Sequence, residues 1–157
     1  MKKYAAFYGP HDATLDSKHR LLIPSELRRS LSPERDGTAL FAITGVNEKI
    51  WLMTENAYLE QAEQPLNLTP GKKKHLHNLL WYGTVRRLEI DGNGRILLPA
   101  DLLEETKTES VLKIVGAGDH IEIWNRVDWI AIQAALKAAR EEEARKSEEA
   151  DEGNSSN

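Results

Sequence analysis

The sequence predicts an α+β fold, mainly β, made of two copies of one strand–turn–strand–helix unit. Three observations carry this. Leu15-Asp16-Ser17-Lys18-His19-Arg20-Leu21-Leu22-Ile23-Pro24 recurs 75 positions on as Ile90-Asp91-Gly92-Asn93-Gly94-Arg95-Ile96-Leu97-Leu98-Pro99, both reading apolar-Asp-x-x-x-Arg, three apolar residues, Pro. Gly45, Ile50, Leu52 and Tyr58-Leu59 return 71 positions later as Gly116, Ile121, Ile123 and Trp129-Ile130. In each copy apolar runs flank a short polar insert, the pattern of two strands joined by a tight turn. Two repeats are too few for a solenoid, and a half of this size has a marginal core. The expected result is one body with a pseudo-twofold axis and a core shared between the halves or with other subunits.

The elements follow in order. Residues 1–8 read as a basic arm leading into a first strand, which Gly9-Pro10 interrupts. The first repeat then runs through its turn to Pro24, which suits the first position of a helix. Glu26 follows in the first turn, where the helix dipole favours an acid, and the helix extends to about Leu31. Ser32-Pro33-Glu34-Arg35-Asp36-Gly37 is a dense turn signal. Leu40–Ile43 and Ile50–Met53 make a hairpin around Gly45-Val46-Asn47-Glu48. Thr54-Glu55-Asn56 opens a short helix carrying Tyr58 and Leu59.

A linker from Gln64 to Gly71 separates the halves, with Thr69 placed to cap a helix whose first residue is Pro70. That helix puts Lys72-Lys73-Lys74-His75 outside and Leu76, Leu79 and Leu80 inside. His75 and His77, two apart, fall on different faces and do not form a metal site. The second repeat spans Thr84 to Trp124; Gly92-Asn93-Gly94 is stronger turn chemistry than Ser17-Lys18-His19. Its later strands are Val111–Val115 and His120–Trp124. A long helix from Asp128 to about Arg145 carries Trp129, Ile132 and Leu136 as a packing stripe toward the same chain or a neighbour, and from Ser147 the composition is that of a disordered acidic tail.

The net charge is -4 over 157 residues, but it is unevenly placed. Residues 1–35 carry +3 and residues 71–99 carry +4, while Lys137–Asn157 carries -3. The repeat motifs therefore lie in basic segments, where a phosphate backbone would be attracted. Cysteine is absent, which excludes disulfides and thiolate metal sites. No apolar run approaches a membrane span and no leader-type segment follows Met1-Lys2-Lys3, so a soluble cytoplasmic protein is expected.

No catalytic constellation is present: no nucleophile elbow, phosphate loop, His-Glu-x-x-His or dinucleotide fingerprint. Asp16 and Asp91 could be brought together by the pseudo-symmetry, but each has an Arg four residues on across a turn, which reads as a turn clamp rather than an acid–base pair. The arginines have a second use. A turn-borne Arg at the tip of a two-stranded unit can reach base edges or phosphates, since a β-ribbon fits the major groove. Arg20, with Lys18 beside it, and Arg95, with Asn93 in the corresponding place, are the candidates. The other reading is that both arginines serve only the clamp.

Leu15-Asp16-Ser17-Lys18-x-Arg20 with Ile23-Pro24, Ile90-Asp91-x-x-Gly94-Arg95-Ile96-Leu97-Leu98-Pro99, and Val115-Gly116-x-Gly118-Asp119-x-Ile121-Glu122-Ile123-Trp124 together resemble the MraZ family of bacterial transcriptional regulators, over about residues 5 to 140. The resemblance implies two tandem SpoVT-AbrB swapped-hairpin units, at 10–54 and 83–126, forming a pseudo-twofold, double-psi-type β-barrel body. A C-terminal helix at 127–146 and a disordered tail at 147–157 follow. It also implies a ring-shaped homo-oligomer bound to repeated boxes in the promoter of the division and cell wall gene cluster, including its own gene. The protein would be a nucleoid-associated repressor with no cofactor, no metal and no small-molecule substrate. The family's DNA-contacting Arg corresponds to Arg20 and, in the second motif, to Arg95. His19 departs from the family's usual Gly, which implies a strained or differently shaped first turn. The amino end is longer than usual, and the acidic tail lies outside the pattern. A different class, an AbrB-like antitoxin or interaction module whose C-terminal helix binds a partner protein, is the alternative.

Overall fold

The computed structural model describes residues 5–64 and 70–155. Lys2, Lys3 and the Thr69 cap lie outside them. The chain divides into two compact units, residues 1–125 and 126–157. The first contains β1 (Phe7–Thr14), β2 (Arg20–Leu22), α1 (Ser25–Arg28), α2 (Pro33–Asp36), β3 (Ala39–Thr44), β4 (Ile50–Thr54) and α3 (Glu55–Ala62). It continues with α4 (Lys72–Tyr82), β5 (Arg86–Glu89), β6 (Arg95–Leu97), α5 (Ala100–Glu105), β7 (Val111–Gly118) and β8 (Ile121–Asn125). The second unit is the single helix α6 (Arg126–Ser155).

Six strands form an antiparallel sheet in the order β1-β7-β8-β4-β3-β5, and β2 and β6 form a separate two-stranded ribbon. The pairing register reveals the axis. In the ribbon Leu21 opposes Ile96, its own counterpart in the repeat, with Arg20 opposite Leu97 and Leu22 opposite Arg95. In the sheet Trp51 opposes Glu122, again counterparts, with Ile50 opposite Ile123 and Leu52 opposite Ile121. Residues equally spaced on either side of a self-opposed pair are what a twofold axis produces. The first strand of each repeat is handed across: β1 pairs with β7 of the second half, and β5 pairs with β3 of the first. Neither half can complete its sheet alone.

The exchange builds one core. Leu21, Ile23, Ile96 and Leu98 from the ribbon side meet Leu40, Ala42, Ile50 and Leu52 from one half and Leu112, Ile114, Ile121 and Ile123 from the other. All are at most 1% exposed, so each Leu or Ile contributes on the order of 1.5–3 kcal/mol of transfer free energy. The period-2 pattern of β7, with Leu112 and Ile114 inward, is what orients these side chains. A smaller cluster of Phe41, Met53, Ala57, Tyr58 and Ala62 seats α3, and Trp81 of α4 packs against it. Thr54 caps α3 by accepting from Ala57 N–H at 3.3 Å.

Four details differ from the sequence reading. β1 runs straight through Gly9-Pro10, pairing with Gly116 and Val115. It stands at one end of the sheet order, where a proline without an N–H and a glycine at φ 87° are tolerated. α1 is shorter than a helix reaching Leu31, and the Pro33–Asp36 turn signal is itself one helical turn. On α4 the leucines are outside: Leu76, Leu79 and Leu80 are 67%, 51% and 61% exposed, while His77 and Trp81 face inward. His77 Nε2 lies 3.0 Å from the Ala62 carbonyl oxygen, and the Trp81 carbonyl accepts from the Tyr58 hydroxyl at 2.7 Å. Finally, α6 continues past Arg145 to Ser155, through a segment where Lys146, Glu148, Glu149, Ala150 and Glu152 favour helix and Lys146 pairs with Glu142 one turn back.

Candidate nucleic-acid interface

Each motif folds into the same turn. In the first, Asp16 N–H donates to the Arg20 carbonyl at 3.0 Å and His19 N–H donates to the Asp16 carbonyl at 3.0 Å. In the second, Asp91 and Gly94 make the corresponding bonds at 2.9 and 3.0 Å. Position four of each turn is left-handed, occupied by His19 at φ 63° and by Gly94 at φ 80°. His19 therefore preserves the turn's shape rather than altering it, while carrying the strain that a Cβ meets in that region.

The aspartates organise the tips. Asp16 Oδ1 accepts from the backbone N–H groups of Lys18 and Arg20, both at 2.8 Å, and Oδ2 accepts from Arg20 Nε at 2.9 Å. Asp91 Oδ1 accepts from the N–H groups of Asn93 and Arg95 at 2.8 and 3.0 Å. The Arg20 N–H holds the Asp16 carboxyl below its usual range, with the Arg20 side chain and the Lys18 N–H assisting. For Asp91 the Arg95 N–H is the largest cause, followed by the Asn93 N–H and the charges of Arg95 and Arg20.

The two copies thus differ in their guanidinium groups. Arg20 is held by Asp16, half-exposed with 45% of its side chain accessible. The Arg95 side chain forms no hydrogen bond or ion pair among the described residues. Lys18 is exposed at the turn, with its ammonium unpaired among the described residues.

The tips flank the axis at opposite ends of the ribbon, each against the outgoing strand of the other copy. Ile23 N–H donates to the Gly94 carbonyl and Leu98 N–H to the His19 carbonyl, both at 2.9 Å. With Leu21 on Ile96 between them, the ribbon fixes two Asp–turn–Arg units around one axis. One cation was not legible from the motif. Arg28 Nε donates to the Ile23 carbonyl at 2.9 Å, and its guanidinium lies where a Cβ on Gly94 would sit, 2.6 Å from Cζ. The signal available in sequence was the pairing of a glycine in one copy with His19 in the other, and of Arg28 with Leu103. On β5, Arg86 pairs with Asp101 and Arg87 with Glu89, whereas Lys107 lines the same cleft as Asp16, Ser17 and His19.

The class these features define is a strand-exchanged duplicate, mainly β, with an Asp–turn–Arg tip on each side of one axis. Comparison with known proteins narrows this. The family model described as MraZ protein, putative antitoxin-like, matches residues 82–151. The chain is 34% identical over 131 residues to the transcriptional regulator MraZ of Leuconostoc mesenteroides, covering 82% of this chain and 87% of that one. It is 33% identical over 127 residues to the protein of the same name from Marinomonas, with 80% and 83% covered. With that from Heliobacterium modesticaldum it shares 31% over 142 residues, 89% and 95% of the two chains. The chain belongs to the MraZ family.

Proposed function

We propose that the protein is a sequence-specific DNA-binding transcriptional regulator, acting as a repressor on repeated boxes in the promoter of the division and cell wall gene cluster that includes its own gene. The observation that carries this reading is the paired tips, each an Asp-shaped turn ending in an Arg, the first of them fixed by Asp16, on a body whose relatives are named transcriptional regulators. Arg20 reads a base edge, prepositioned by Asp16, and Lys18 contacts phosphate. Arg95 plays the corresponding part in the second tip, with Asp91 shaping its turn. A prepositioned Arg loses less rotamer freedom on binding, which is what a bidentate guanine contact requires.

The units at 10–54 and 83–126 are the two SpoVT-AbrB domains of this reading. A single protomer offers a small basic surface, so affinity comes from a ring-shaped homo-oligomer that sets several tip pairs against boxes one helical turn apart. The protein acts in the cytoplasm on the nucleoid, as a non-enzyme. Among the described residues no helix is long and apolar enough to cross a membrane.

The test is mobility shift on the DNA upstream of the gene with wild type and Arg20→Ala. Specific binding is expected to be lost with the fold retained. An Arg20→Ala protein that binds the promoter as well as wild type overturns the reading. A second reading, an antitoxin-like module that holds a partner protein through α6, is favoured by the wording of the family model and by the exposure of that helix. Co-purification of one small basic protein with the full chain would support it.

A further inference from the structure

Two helices of this chain carry apolar stripes that are exposed among the described residues. On α4, Leu76, Leu79 and Leu80 share the face opposite His77 and Trp81, and each is at least half exposed. On α6, Val127 and Ile130 are 64% and 61% exposed, and Ala131, Ala134 and Ala138, all exposed, continue their face at helical spacing. This face is distinct from the Trp129, Ile132 and Leu136 stripe on the other side of the helix. The repeat shows what is missing. Leu59, the counterpart of Ile130, is half-buried in the cluster that α4 joins through Trp81. In the first half the chain turns back as α4; in the second it runs on as one helix.

We propose that the α4 leucine stripe of one copy and the α6 Val127–Ala138 stripe of a second copy cover each other, as an antiparallel helix pair. This rests on the assembly part of the function proposed above, and names its contact. The two stripes match in shape and in charge. Leucines on one helix facing alanines on the other let the axes approach closely. Run antiparallel, Leu80 lies beside Ile130, Leu76 beside Ala134 and Lys72 beside Ala138. Side chains tilt toward the start of their own helix, so Lys72 and Lys73 reach past Ala138 to Glu141, which continues the α6 face by one turn. Lys72, Lys73 and Glu141 are exposed and form no ion pair among the described residues. Reversing α4 would set the lysines beside Val127 and leave Glu141 unpaired, so the charges select one direction.

The chain has no cysteine, which permits a clean test on full-length protein. Leu80→Cys and Ile130→Cys proteins are prepared separately, mixed and treated with a short bismaleimide. A covalent dimer containing one of each is expected, at least tenfold above that from either variant mixed with Val46→Cys, a turn residue 92% exposed. Yield no greater than with the Val46→Cys control overturns the pairing, as does Leu80→Cys linking only to itself. In sedimentation, Leu76→Glu with Leu80→Glu is expected to reduce particle size with circular dichroism unchanged. Lys72→Glu is expected to weaken assembly, and Glu141→Lys to restore it. If those variants assemble like wild type, this contact is wrong and the ring stands; if wild type itself sediments as a monomer at micromolar concentration, the ring fails too. Binding of a single DNA box through Arg20 is separate from both.

Discussion

His19 carries backbone strain that its counterpart Gly94 avoids, since both sit in the same left-handed position of the same turn. Replacing His19 with Gly is expected to raise stability by about 0.5–1 kcal/mol, the relief of strain being partly offset by the entropy of an added glycine. Chemical denaturation measures it, and a loss of stability would mean the imidazole makes a compensating contact. Asp16 and Asp91 act in the opposite sense, as carboxylates lowered by the N–H groups they accept. A lowered folded-state value means the stabilisation is complete above the ordinary 3.8 and is lost as pH falls from there through the folded value. Asp16→Asn is therefore expected to melt lower than wild type at neutral pH, with the gap closing only in acid. A gap that persists unchanged into acid would show that the charge is not what shapes the tip. Much of this was readable: Asp-x-x-x-Arg with Pro four residues beyond the Arg gives the turn in both copies, though the side-chain clamp forms only between Asp16 and Arg20. Arg28 was not, because nothing local to residue 28 indicates that it lies over a glycine 66 positions away.

Strands were more legible than their partners. Alternation in Leu112-Lys113-Ile114 and the Gly45 and Gly116 hairpins give each element, but exchange of β1 and β5 between halves is a long-range outcome that a local pattern does not encode. Gly116 shows the consequence of that exchange. A Cβ there would sit 2.2 Å from the backbone nitrogen of Tyr8 on β1, so the crossing depends on a missing side chain. Gly116→Ala is expected to cost about 1–3 kcal/mol, measured by thermal melting, whereas Gly118→Ala meets no neighbouring atom and its cost is confined to its φ of 83°. Equal costs would place the strain in the backbone angle rather than in the packing. Periodicity identified the leucine face of α4 correctly and its environment wrongly, because an amphipathic pattern says which side is apolar and leaves open what covers it.

For the molecule as a whole, duplication brings two tips onto one axis, and the strand exchange ties their geometry to the same core that stabilises the fold. Under the proposed function, repeated weak sites have to meet repeated DNA boxes in phase. Inserting half a helical turn, about 5 base pairs, between two boxes is expected to lower affinity toward that of one box, and a full turn to restore much of it. Mobility shift on the spaced templates reads this directly, and affinity independent of spacing would rule out simultaneous engagement. The pseudo-twofold was legible because two motifs recur at nearly equal offsets, 75 and 71. The contact proposed for assembly was not, because it depends on surfaces whose partners lie outside the chain.

The most direct measurement is promoter binding by wild type, Arg20→Ala and Lys18→Ala over a salt series. If the tips read DNA, Arg20→Ala loses at least tenfold in specific affinity, in line with the roughly 1–3 kcal/mol of a bidentate base contact. Lys18→Ala loses less, and its salt slope falls by roughly 0.9 for each phosphate contact removed from a protomer. Both variants melting like wild type yet binding with its affinity and its salt slope would contradict the account.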